Sequence, residues 1–421
     1  MSTQQKNITL SRGRLSLSYQ TTGDYQLDEL LGFAERINPK RAFLFVSQVL
    51  GRHIPVTPNR MRQAFSDLAD LIPDNLPEPI LVVGMAETAV GLSAGVHQRL
   101  QTRTQGQPYP KAILLNSTRH AQRAQLLATF SEDHSHASQH LLYLTPNDEN
   151  TQTADDLAKA VLNAKTLIMV DDEASTGNTC QNVVNALRQA GLHSLEQVHL
   201  ATLVDWSLNQ TQTQPFEDVA FFRHHLLSGS WQWTDSPNLP AIRMPNVATT
   251  EAGSQPLLDT GNWGRLPTVN STAGVSALFN GLQRQLMARG SSPTQLVDKK
   301  ILVLGSNEFV WLPFLLAEKL QNIQQSIDEH HSKLGMVKFS ALTRSPIAVH
   351  PQSAITACIE FHDNYGLGMT NFVYNVVSTE WDWVLLCIET PPDSIDPYWQ
   401  SLPNVLVVSP LPHSAHPETT T

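Results

Sequence analysis

One stretch restricts the fold of this chain more than any other: Thr166-Leu-Ile-Met-Val170-Asp171-Asp172-Glu173-Ala174-Ser175-Thr176-Gly177-Asn178-Thr179. An apolar run that reads as a buried strand, Thr166–Val170, ends in two adjacent carboxylates. A short loop with hydroxyls and one glycine then opens a helix. Its Cys180, Val183, Val184 and Leu187 fall at i, i+3, i+4 and i+7, with Gly191 as its stop. A loop entering a helix N-terminus offers unpaired N–H groups and the positive end of the helix dipole. Gly177 lets the backbone approach a phosphate closely, and the Ser175, Thr176 and Thr179 hydroxyls add hydrogen bonds. Two carboxylates repel a phosphate. They suit the hydroxyls of a ribose and, directly or through water, a Mg²⁺ ion. The residues ask for a ligand with a phosphate at one end and a cis-diol at the other, as in ribose 5-phosphate. The competing reading is a generic strand–turn–helix with a solvated acidic turn.

The rest of the chain supplies a setting for that loop. At 421 residues two domains are the natural expectation. Pro79–Val83, Ala112–Asn116, Leu141–Leu144 and Gln197–Val204 read as strands. Thr88–Leu100, Ala154–Asn163 and Thr179–Ala190 read as helices, and this alternation implies a parallel, doubly wound α/β sheet. Ile8–Tyr19 predicts a hairpin and Tyr25–Ile37 a helix. Residues 235–273, rich in Pro, Asn, Thr, Ser and Gly, predict a linker or arm between a first domain, 1–234, and a second α/β domain, 274–410. The second contains helices Val275–Ala288 and Leu312–Gln321 and strands Lys300–Leu304, Val337–Leu342 and Trp383–Cys387. Residues 411–421 read as a frayed tail.

Composition narrows the partners. A formal net charge of −10 argues against nucleic-acid binding, which needs a basic footprint. Three widely spaced cysteines, Cys180, Cys358 and Cys387, give neither a disulfide framework nor a zinc pattern. The N-terminus carries no secretory h-region and no apolar run reaches the length of a membrane span, so a cytoplasmic protein is expected.

The strand, acid pair and Thr-Gly-x-Thr loop resemble the motif with which type I phosphoribosyltransferases bind 5-phosphoribosyl-1-pyrophosphate (PRPP). The resemblance implies that fold: a parallel sheet flanked by helices. It implies PRPP binding at Asp171, Asp172, Ala174, Ser175, Thr176, Gly177, Asn178 and Thr179, with Mg²⁺ as cofactor at Asp171 and Asp172. A second strand-to-helix turn, Val83-Gly84-Met85-Ala86-Glu87-Thr88, resembles the family's pyrophosphate loop, which assigns Ala86, Glu87 and Thr88 to that role. Arg119, after the next strand, is a candidate pyrophosphate clamp or a surface arginine without a role. The mobile catalytic loop of the family falls on Phe130-Ser-Glu132-Asp133-His134-Ser-His136. There Glu132, Asp133 and His134 join Arg119 as catalytic candidates; the histidines are also open as polar loop residues, while a zinc role lacks a third ligand at diagnostic spacing. Trp206, Trp231 and Trp233 stack on an acceptor or pack in the core.

Pro39-Lys-Arg-Ala-Phe-Leu-Phe-Val-Ser, the Ser117-Thr118-Arg119-His120 run and Leu342-Thr343-Arg344-Ser345-Pro346 resemble more narrowly the bacterial phosphoribosyltransferases with a C-terminal TRSP domain, found beside tellurium-resistance and stress genes. The implied reaction moves ribose 5-phosphate from PRPP to a small, nitrogenous, nucleobase-like acceptor, near Trp206, Trp231 and Arg344. A PRPP-sensing module and a PRPP hydrolase are the rivals, and a homodimer is among the partners allowed. Ser175 departs from the purine-type pattern, which places an acid there. Val83-Gly84-x-x-Glu87 and Leu304-Gly305-x-x-Glu308 echo each other, as do Thr118-Arg119 and Thr343-Arg344. The second domain is therefore expected to be a degenerate copy of the first, unless two α/β units have converged on similar turns.

Overall fold

Apolar runs that alternate with amphipathic helices bury both faces of a strand, and here they build two parallel sheets. The structure, a computed structural model, describes residues 3–37, 41–103, 112–131, 139–146, 152–208, 215–237, 263–327 and 335–410. The first sheet runs Gln4–Leu10, Gly13–Thr21, Ala220–Asp235, Gln197–Asp205, Thr166–Ala174, Ile80–Gly84, Ile113–Asn116. The last five strands are parallel, and the first two form an antiparallel hairpin on the edge. From Ile80–Gly84 the chain moves outward to Ile113–Asn116, then returns to the other side as Thr166–Ala174. The strand order therefore reverses between Gly84 and Val170. Open α/β sheets bind ligands outside the carboxyl ends of the strands at such a point.

The second sheet runs Met336–Ala341, Lys300–Gly305, Trp383–Cys387, Val405–Val408, all parallel. Helices Val275–Ala288 and Trp311–Ile327 belong to this half. The halves share one continuous apolar core, from Leu15 to Val408. A small sheet also crosses between them: Ile347–Ala348 pairs with Leu31–Arg36, which pairs with Phe43–Ser47. Among the described residues no helix is long and apolar enough to cross a membrane.

Several expectations need correction. The helix predicted over Tyr25–Ile37 is one turn, Leu27–Leu30, followed by the strand Leu31–Arg36. Pairing on both edges of that strand overrides the local pattern, and a Cβ on Gly32 would come within 2.7 Å of Ala354 Cβ. The motif strand is longer than Thr166–Val170. It runs through Ala174, because Gln197–Asp205 pairs with it as far as Asp205 opposite Ala174. The last part of the expected arm, 235–273, packs on the first sheet: residues 238–262 lie outside the described set, but Arg265 is buried and Leu114 exchanges backbone hydrogen bonds of 2.8 and 3.0 Å with Thr268. The tail 411–421 lies outside the described residues.

Candidate functional site

The motif loop gets its shape from a residue outside it. Arg223, on the strand Ala220–Asp235, forms an ion pair with buried Asp205, its Nη1 lying 3.1 and 2.9 Å from the carboxylate oxygens. The same guanidinium donates to the carbonyls of Ser175 (3.4 Å) and Thr176 (3.1 Å). In a trans peptide the C=O and the following N–H point in opposite directions. With these carbonyls turned toward Arg223, the N–H groups of Thr176 and Gly177 face away from it. Successive N–H groups on one side make an anion-binding concavity. Gly177 caps the helix Asn178–Gln189 with φ 86°, and its carbonyl accepts from the Gln181 N–H at 3.1 Å. Thr176 Oγ1 accepts from the Asn178 N–H at 3.3 Å.

Asp171 and Asp172 are half-buried at the end of the strand, just before this concavity. Asp171 Oδ1 accepts from the Asp172 N–H at 2.9 Å. Next to them Glu173 pairs with Arg41 at 2.7 Å, and Arg41 lies over the rings of Phe43 and Phe45 at 5.0 and 5.3 Å. The Ala174 carbonyl accepts from the Trp206 N–H at 2.7 Å. No group of three or more His, Cys, Asp or Glu side chains that could hold a metal occurs among the described residues. Two carboxylates and no further protein ligand fit Mg²⁺ in its usual substrate-bound mode, where phosphate oxygens and waters complete the shell. They do not fit a metal caged by protein alone.

The second turn sits beside the first. The Met85 N–H donates to Val170 O at 3.1 Å, so the two loops leave neighbouring strands together. The Ala86 N–H donates to Ser117 Oγ at 2.9 Å. Thr88 follows, half-buried. The Glu87 carboxylate is 3.7 Å from Arg52 Nη1, 3.3 Å from Arg344 Nε and 3.5 Å from Thr343 Oγ1. Arg52 is buried and also donates to the carbonyls of Glu87, Asn307 (2.7 Å) and Leu342 (2.9 Å). Arg119 is half-buried, and its backbone N–H donates to Glu308 at 2.8 Å.

The three acceptor candidates differ in burial and partners. Trp206 is 3% exposed and stacks on Phe45 with centroids 4.4 Å apart, so its role is packing. Trp231 is exposed on the strand Ala220–Asp235 and meets Phe43 edge-on. Arg344 reaches Glu87 and lies 3.4 Å from His120, at the second turn. Glu132, Asp133, His134 and His136 lie outside the described residues. The strand before them ends at Ser131, whose carbonyl accepts from Asn182 of the motif helix at 3.0 Å. Arg223, Asp205, Arg41 and Arg52 escaped the sequence reading. Asp205 at a strand end before Trp206 carries a weak signal and Arg41 stands in a run that carries the resemblance, but the partners of the three arginines carry none, since each acts across more than thirty residues.

Burial governs the titratable groups around the second turn. It pushes His120 down to about 4, so the ring is neutral at ordinary pH. For Glu308 burial acts to raise the carboxyl, yet Arg265, Thr118 and the Arg119 N–H hold it well below the usual carboxylate range.

Residues 30–222 match a family model described as "Phosphoribosyl transferase", and residues 272–402 match one described as "TRSP domain C terminus to PRTase_2". Similar solved structures include adenine phosphoribosyl transferase from Trypanosoma brucei in complex with AMP, pyrophosphate and ribose-5-phosphate. That match has 13% identity, covers 47% of this chain and 76% of that one, and has a TM-score of 0.31. Adenine phosphoribosyltransferase from Rhodothermus marinus matches at 16% identity over 47% and 94%, TM-score 0.30. Orotate phosphoribosyltransferase from Aeropyrum pernix matches at 15% over 44% and 77%, TM-score 0.25. No curated protein matches the chain.

Proposed function

From the premise that this chain belongs to the phosphoribosyltransferases with a C-terminal TRSP domain, we propose that it moves ribose 5-phosphate from PRPP to a nitrogenous, nucleobase-like acceptor. One observation carries the reading. The Asp171–Asp172 pair stands at the strand-order reversal, immediately before an N–H concavity whose carbonyls are tied back by Arg223. The 5-phosphate belongs in that concavity, on Thr176, Gly177 and the start of the helix. The ribose hydroxyls belong on the acid pair. The pyrophosphate belongs toward Glu87, Thr88 and Arg119, the guanidinium of Arg119 offsetting its charge.

Asp171 and Asp172 would help hold Mg²⁺ beside the substrate, where the ion would supply charge neutralisation for the leaving pyrophosphate. In the reaction the C1–O bond to pyrophosphate breaks, a C1–N bond to the acceptor forms, and the acceptor nitrogen loses a proton. Positioning and electrostatic stabilisation of the leaving group supply most of such a rate. Position 175 is a serine and Glu87 is engaged by two guanidinium groups, so the proton falls to Glu132, Asp133 or His134. The half-exposed Arg41–Glu173 pair, over its two phenylalanine rings, forms the wall for a flat polar acceptor.

The test is pyrophosphate release from PRPP and Mg²⁺ with and without a metabolite extract. Release that requires the extract supports transfer. Release without it identifies a hydrolase, and PRPP binding without any release identifies a sensor; either outcome ends the transferase reading.

A further inference from the structure

The two turns that carry Glu87 and Glu308 face each other, and each is held by the other half. Glu87 of the first domain meets Thr343 and Arg344 of the second, at 3.5 and 3.3 Å. Glu308 of the second meets Thr118 Oγ1 and the Arg119 N–H of the first, at 2.6 and 2.8 Å. Each carboxylate has a buried arginine from the segment that precedes its own domain's first parallel strand: Arg52 on Glu87 at 3.7 Å, Arg265 on Glu308 at 3.0 Å. A few residues beyond each arginine the same exchange recurs. Val56 trades backbone hydrogen bonds of 2.9 and 2.8 Å with Phe339 on the outer strand of the second sheet. Thr268 trades its pair with Leu114 on the outer strand of the first. Within each half the residue after the outer strand donates to the glycine carbonyl: Ser117 to Gly84, Leu342 to Gly305, both 2.8 Å.

Contacts in which i meets j′ and j meets i′ are what a two-fold, isologous interface produces. The sheets agree with this. Numbered by appearance along the chain, the parallel strands lie in the order 2-1-3-4 in the second domain and 2-1-3-4-5 in the first. We infer that the two domains are copies of one α/β unit clasped across an approximate two-fold axis, so that the C-terminal domain occupies the place of a second subunit and Arg344 is a positioning residue for the Glu87 turn.

In the copy, the counterpart of the acid pair is closed. Val170 lies opposite Gly84, and Leu386 lies opposite Leu304, which sets Glu389 where the first domain has Asp172. Arg265 forks onto Glu389 at 2.6 and 2.7 Å, and the Tyr365 hydroxyl donates to it at 2.5 Å. Glu389 and Thr390 are fully buried. Where the first domain has an exposed hydroxyl-rich loop, the second continues into Pro391 and Pro392, which supply no N–H for an anion nest.

Hydrogen exchange on the full chain tests the clasp without any ligand. Arg344→Ala should speed exchange of the Met85–Ala89 amides, in the other domain, by about tenfold. Glu308→Gln should do the same for Ser117–His120, again in the other domain, and Arg344→Lys should restore part of the Arg344→Ala effect. If each variant loosens only its own domain, the clasp is wrong. Should the buried Glu308→Gln fail to fold, the two Arg344 variants decide alone. A second arm rests on the proposed reaction: Arg344→Ala should raise the KM for PRPP by about tenfold with kcat nearly unchanged. Cross-domain exchange effects in a protein that binds no PRPP would sink that reaction and leave the clasp standing. Two PRPP bound per chain would overturn the closed second site.

Discussion

At the scale of single residues, charge placement decides which group does what. Asp171 and Asp172 lie partly buried toward the sheet's carboxyl edge, whereas Asp205, one strand away, is buried and committed to Arg223. The first two stand directly before the N–H concavity and suit a ligand there; the third is structural. Replacing Asp171 and Asp172 together with Asn should weaken PRPP binding in Mg²⁺ by at least about tenfold, each lost charge-assisted contact being of order 1 kcal/mol or more. The melting temperature should stay within a few degrees. Titration calorimetry showing unchanged affinity would remove the acid pair from the site.

At the scale of the element, the loop from Ser175 to Gly177 is shaped by one positive φ and one guanidinium. At φ 86° an L-residue is strained, and a Cβ on Gly177 would lie 2.9 Å from Arg223 Nη2. Gly177→Ala should therefore cost about 1–2 kcal/mol of stability and displace the Thr176–Gly177 N–H groups. The same loop should lose affinity for inorganic phosphate when Arg223 is changed to Gln, because nothing then holds the Ser175 and Thr176 carbonyls back. Equal phosphate affinity in wild type and Arg223→Gln, measured by calorimetry, would show that the N–H concavity forms without the guanidinium. Leu31–Arg36 illustrates the opposite balance: its local pattern reads as helix, and only pairing with Phe43–Ser47 and Ile347–Ala348 makes it a strand.

At the scale of the molecule, the shared core buries His97 and His120 and partly buries His53. Burial, reinforced by Arg52, pushes His53 down to about 3, and burial pushes His97 and His120 down to about 4. Unfolded, each titrates near 6.5. Between these values the unfolded chain takes up protons that the folded chain refuses. Stability is therefore full above about pH 6.5 and is lost as pH falls through the window down to about 4. Thermal melts should show a falling midpoint from about pH 7 to about pH 5, and His97→Gln should flatten that slope. A midpoint independent of pH over this range would contradict the burial of these rings.

The sequence alone determined the α/β class, the motif strand and its helix, the acid pair with its Thr-Gly-x-Thr loop, and the second Gly-x-x-Glu turn. These are local: a period of two or 3.6, a glycine at a turn, and carboxylates beside a helix start are all written within some fifteen residues. Even the echo between Glu87 and Glu308 was readable, as a repeated spacing. Tertiary structure alone decided what those residues touch. Arg223 reaches the motif loop from 48 residues away, and Arg52 reaches Leu342 across 290. Trp206 was left open as a stacking platform and turns out to be covered by Phe45, because its strand end is roofed by a segment far upstream. Arg344 could be read from its run as an acceptor residue or an interdomain contact, and the structure places it on Glu87 of the other domain. A side chain's type is fixed by its codon; its partner is fixed by which distant strand the fold brings alongside it.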